Sequence, residues 1–191
     1  RAFASHPRFE ENERDYKDEL VRLFAQEVAP RITAQDWPGA GKAASSLLTR
    51  PLKHAHKKPQ NLVGFRYVEL VRKLDTPGQE TFGRAIAELI DETLPIDERV
   101  EAFVGALDVV AGGNRRGLPR AQHSLAGFYL TLAHPTEYLF LKSQELKDAL
   151  RRLDPSFDWT AGGLQGADIR RVQSLTQRVF ERLKAEGWQP R

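Results

Sequence analysis

Ser124-Leu125-Ala126-Gly127-Phe128-Tyr129-Leu130-Thr131-Leu132-Ala133-His134-Pro135-Thr136-Glu137-Tyr138-Leu139-Phe140-Leu141-Lys142 is the longest apolar run in the chain, broken once, at His134-Pro135. Ahead of the break, Leu125, Phe128, Tyr129 and Leu132 recur at helical spacing, which predicts a buried helix. Pro135 disfavours helical geometry at the residue before it, so the chain turns at His134. Beyond the turn, Tyr138, Leu139, Phe140 and Leu141 are expected to form a hydrophobic knot, and a new helix starts at Ser143. Helix, proline stop and aromatic plug together make a core-forming hinge. The run contains no catalytic constellation.

The same helical period continues on both sides. Tyr16, Leu20, Leu23, Phe24 and Val28 mark one stripe of an amphipathic helix over residues 9–28, which Pro30 ends or kinks. Asp36-Trp37-Pro38-Gly39-Ala40-Gly41 reads as a turn ahead of a short helix over 42–49. Residues 62–74 have a mixed period, with helix favoured in the second half. Asp75-Thr76-Pro77-Gly78 reads as a turn before a helix over 79–94. Pro95 ends that helix, and Asp97 is placed to cap the next, which runs to about Ala111. Further helices are predicted over 143–153 and 168–186, the last one built on Ile169, Val172, Leu175, Val179, Phe180 and Leu183 and stopped by Gly187. The expected architecture is all-α: a single irregular domain over residues 1–191, of six or seven helices, with little or no β structure and flexible ends at 1–8 and 187–191.

Composition narrows the function classes. A chain of 191 residues that is 40% hydrophobic and 29% charged is built like an ordinary globular protein. No apolar run approaches the ~20 residues of a membrane span, so no membrane partner is expected and the location is read as cytoplasmic. Cysteine is absent, which excludes disulfides and thiolate metal sites. Methionine is absent even from position 1, so the sequence is expected to be a segment of a longer chain or a processed product.

Two motifs invite a chemical reading and fail it. Pro38-Gly39-Ala40-Gly41-Lys42-Ala43 resembles a phosphate loop, but that loop needs glycine where Asp36 stands and a hydroxyl residue where Ala43 stands. His54 and His56 flank Ala55 as zinc ligands could, yet Lys53, Lys57 and Lys58 surround them and repel a dication. Asp91-Glu92 and Asp97-Glu98 fall at helix ends, where capping accounts for them. No catalytic residue, metal or cofactor is expected, and the chain is read as non-enzymatic.

Charge layout is more informative. Between Trp37 and Val68 stand six basic residues (Lys42, Arg50, Lys53, Lys57, Lys58 and Arg66) and no acid, in a chain whose net charge is only +3. Trp37, Phe65 and Tyr67 lie among them, and interleaved cations and aromatics suit phosphate contact with base stacking. A second cluster, Arg115, Arg116 and Arg120, sits on a glycine-rich stretch. The candidate nucleic-acid-binding residues are therefore Lys53, His54, His56, Lys57, Lys58 and Arg66, with Arg115, Arg116 and Arg120 as helpers.

The hinge also carries a resemblance. Ala133-His134-Pro135-Thr136-Glu137-Tyr138-Leu139-Phe140-Leu141-Lys142-Ser143, followed by Leu146-Lys147-Asp148-Ala149-Leu150, resembles the helical region just upstream of the AAA+ motor in McrB-type restriction ATPases. Asn61-Leu62-Val63-Gly64-Phe65-Arg66, Asp97-Glu98-Arg99-Val100-Glu101-Ala102-Phe103 and the closing Gly187-Trp188-Gln189-Pro190-Arg191 are similar to accompanying phrases of such regions. The resemblance covers residues 60–191. It implies a target-recognition domain whose ligand is DNA, double-stranded or modified, and whose partners are a downstream motor and a separate nuclease subunit. An assembly module of the same ATPase, without direct DNA contact, is the alternative. Phosphate-loop, Walker B and nuclease motifs are missing, as is the β-rich pattern of modified-base readers, so backbone or shape readout is expected rather than base flipping.

Overall fold

Every residue from Leu125 to Leu132 is buried, so the predicted central helix is enclosed by the rest of the chain. The computed structural model describes residues 14–52, 62–63, 65–112, 123–140, 143–158 and 166–187, without the side chains of residues 65, 66, 123 and 143–146. The described residues form nine helices and no strand: α1 (Tyr16–Glu27), α2 (Ala29–Thr33), α3 (Trp37–Leu47), α4 (Phe65–Arg72), α5 (Thr76–Ile90), α6 (Ile96–Val110), α7 (His123–Ala133), α8 (Ser143–Leu153) and α9 (Gly166–Ala185). The domain is all-α, as expected, with α7 packed against α1, α5 and α6 and with α9 laid on α6.

Pro30 begins an additional helix instead of only ending one, and two further proline-containing stretches start their helices earlier than predicted. Pro30 sits in the first turn of α2, where its missing N–H has no intrahelical partner to lose. Asp36-Trp37-Pro38-Gly39, read as a turn, is the start of α3, where the Asp36 carboxylate accepts from the Gly39 N–H at 3.0 Å. Asp75-Thr76-Pro77-Gly78 repeats the device, with Gly78 N–H donating to Asp75 at 2.9 Å, so α5 starts at Thr76 rather than Gln79. Both starts share the order Asp-x-Pro-Gly: N-cap acceptor, pre-set φ, then an amide free to reach the cap. Asp97, by contrast, lies inside the first turn of α6, and Pro95 occupies the cap position without a side-chain bond.

The glycines just beyond these starts set how closely α3 and α5 approach. A Cβ at Gly41 would stand 2.0 Å from the Gln79 carbonyl oxygen, and one at Gly83 would stand 2.1 Å from that of Trp37. Both obstacles are backbone, which cannot rotate away. Gly41→Ala and Gly83→Ala are each expected to cost about 1–3 kcal/mol in urea unfolding, because the helices must separate to fit a methyl group. The double variant should cost less than the sum, since one separation relieves both clashes.

Tyr129 on α7 stands at the centre of the aromatic core. The rings of Phe128, Phe82, Phe103 and Phe24 lie with centroids 5.2, 5.7, 6.4 and 6.5 Å from its own. Its hydroxyl donates to the Ala44 carbonyl of α3 at 3.0 Å, and burial holds the phenol well above its ordinary pKa.

The chain turns after α7 at His134-Pro135, as the proline requires. The knot beyond is looser than expected: Tyr138 is buried, but Leu139 is 46% exposed. Tyr138 serves a buried arginine instead. Arg99 of α6 donates to the Leu89 carbonyl at 2.9 Å and to the Tyr138 hydroxyl at 3.0 Å, and the His134 ring Nε2 lies 2.9 Å from the Ile90 carbonyl. Leu89 and Ile90 end α5, whose last carbonyls have no partner within the helix. The hinge and α6 supply those partners, so the conspicuous His-Pro phrase closes a helix end.

Candidate nucleic-acid interface

Lys53, His54, His56, Lys57, Lys58, Arg115, Arg116 and Arg120 lie outside the described residues, as does Leu141 of the hinge. Arg66 stands in the first turn of α4, with its backbone described and its side chain not. The geometry that bears on the two basic segments is that of the residues bounding them.

Ahead of α4, Leu62 and Val63 are both buried, and Tyr67 in its first turn is fully enclosed. Gly112, with φ at 66°, takes the left-handed backbone that ends α6. Burial first, and the negative charge of Asp108 in the last turn of α6 second, hold the Tyr67 phenol above its ordinary pKa. The start of α4, into which the first segment runs, is therefore within electrostatic reach of the last turn of α6, after which the second follows.

The acid-free segment is less uniform than its sequence implies. Arg50 donates to Glu27 of α1, an ion pair that holds the Glu27 carboxyl below the usual carboxylate range and raises the Arg50 guanidinium. One of the six cations is thus neutralised. Lys42 is exposed on α3 beside an open cleft of about 830 Å³ whose acids, Glu27 and Asp36, are engaged by Arg50 and Arg31. Neither of the two aromatics with described side chains offers a stacking platform. Tyr67 belongs to the core, and the Trp37 ring is covered by the Arg84 guanidinium at 5.2 Å. Phe65 has no described side chain.

A third basic surface goes unmarked by charge density along the sequence. Arg171, Arg178 and Arg182 recur on α9 at intervals of seven and four residues, a helical spacing hidden behind the apolar stripe of the same helix. Among the described residues no group of three or more His, Asp or Glu side chains is placed to hold a metal ion, and no helix is long and apolar enough to cross a membrane. No family model, curated protein or solved structure matches the chain.

Proposed function

We propose that this chain is a non-catalytic DNA-binding module that selects targets for a McrB-like restriction or phage-defence ATPase, holding the duplex by its phosphate backbone. The observation that carries the reading is the acid-free run of cations that includes Lys53, Lys57 and Lys58, together with the second cluster of Arg115, Arg116 and Arg120; the charge of Asp108 near the end of α6 reaches Tyr67 in the first turn of α4, which favours one side for both. Cations grouped in this way can meet one polyanion at once. Phosphate contacts fix a protein on the duplex without reading sequence, and they require neither a base pocket nor a stacking face. With about six such contacts, affinity for a short labelled duplex should fall ~10³-fold between about 50 and 200 mM salt. Fluorescence anisotropy across that range measures the slope, and salt-independent binding would remove the proposal.

A second reading, an assembly module of the same ATPase, is favoured by one specific observation. The apolar stripe of α9 runs past the body, leaving Leu183 37% and Leu153 55% exposed along an open groove of about 660 Å³. Association through that groove would be insensitive to salt and would persist without DNA.

A further inference from the structure

We infer that the flank of α9 facing the end of α8 is a second phosphate-binding surface, whose ligand is the backbone of a nucleic acid. This rests on the reading that the ligand is DNA but assigns residues far from the two basic segments. Asp168, Ile169, Val172 and Leu175 are buried and fix the rotation of α9. At 3.6 residues per turn, Arg171, Arg178 and Arg182 then fall within about 40° of one another on one flank, separated by roughly 10 and 6 Å along the axis. Such a row can face several phosphates of one strand, which recur every ~3.4 Å of duplex axis.

Arg170, Arg171, Ser174 and Arg178 line a recess of about 320 Å³ with Leu175 and a single acid, Asp154. The Asp154 carboxylate is turned to its own loop: the Ser156 hydroxyl donates to it at 2.6 Å and the Ser156 N–H at 3.0 Å. Arg171 is held in place, its guanidinium 4.7 Å from the centre of the Phe157 ring and donating to the Asp158 carbonyl at 3.0 Å. Arg170 is engaged by Asp97 of α6. Arg178 is exposed and makes no ion pair or hydrogen bond among the described residues; it stands close enough to Asp154 to help the Ser156 hydrogen bonds hold that carboxyl below its ordinary range, and its donors are available to a ligand.

The remaining acids of this flank are spoken for. Asp158 is shared by Lys147 and Arg151, Asp168 lies 3.9 Å from Arg171, and Glu186 pairs with Arg182, so Arg178 is the member of the row without an ion pair among the described residues. A planar guanidinium fixed by packing, beside an unpaired one, suits bidentate contact with phosphate oxygens. The recess adjoins the Asp97 end of α6, about 16 Å along that helix from Asp108.

The test is anisotropy with a labelled duplex for wild type, Arg178→Glu, Arg178→Gln and a Lys53/Lys57/Lys58→Glu variant, each checked by thermal melting. Arg178→Glu is expected to weaken binding about tenfold and Arg178→Gln by less, with the salt slope reduced by ~1 and melting unchanged. If both Arg178 variants bind as wild type while the lysine variant does not, this inference fails and the basic-segment reading stands. If the Arg178 variants lose affinity and the lysine variant does not, α9 is the interface and the assignment to the segments fails. A wild-type protein that does not bind DNA overturns both.

Discussion

Replacing Lys53, Lys57 and Lys58 together by glutamate is expected to weaken duplex binding by at least ~10²-fold at about 0.1 M salt and to halve the salt slope. Each phosphate contact releases condensed counterion, contributing roughly eightfold in affinity at that salt, so three lost contacts remove ~10²–10³ before the added negative charge is counted. The slope is the sharper readout, because it counts contacts without depending on fold stability. Arg50 should be left out of such a set: its ion pair with Glu27 joins the end of α3 to α1, and reversing it would put two carboxylates face to face. Reversing Arg115, Arg116 and Arg120 tests the second segment in the same way. If the two segments meet one duplex, as proposed, the two triple variants should act on one binding event. Equal affinity of the lysine variant and wild type would sink the assignment of the first segment.

The helices that carry a long apolar period are legible in the sequence, and α7 most of all, because Leu125, Phe128, Tyr129 and Leu132 leave only one reading of that stretch. The helix starts at Asp36 and Asp75 are not. Proline and glycine are turn formers by propensity, and only the placement of aspartate two residues ahead of proline distinguishes a capped first turn from a loop. The glycine contacts of α3 with α5 are invisible in sequence because they depend on which carbonyl a distant helix presents. Of the candidate site, charge density is legible and charge partnership is not. Arg50 and Arg99 look alike in sequence, yet one pairs with a surface glutamate while the other is buried against a helix end. The α9 arginines are legible in principle, since their seven- and four-residue spacing needs only a helix assignment. The apolar stripe of that helix accounts for its period by itself and so draws attention away from the polar flank.

Tyr129→Ala is expected to cost about 3–5 kcal/mol, the range for emptying a buried aromatic site that neighbours cannot refill. Collapse into that space is blocked from several directions at once, since Phe24, Phe82, Phe103 and Phe128 come from α1, α5, α6 and α7 itself and are already in contact with one another or with backbone. Tyr129→Phe separates the two parts of the effect: it keeps the ring and leaves the Ala44 carbonyl without its donor, for a loss of about 1 kcal/mol. A domain of this size shifts its melting temperature by ~2–4 °C per kcal/mol, so the alanine variant should melt ~6–20 °C lower and the phenylalanine variant only a few degrees. Phe103 links this core to α6, whose far end carries Asp108, within electrostatic reach of Tyr67. If the basic segments act from that end, DNA binding by Tyr129→Ala should match wild type well below its melting temperature and disappear together with the melt. Binding that survives unfolding would mean that the charged segments need no common scaffold, and the helical body would then have no part in recognition.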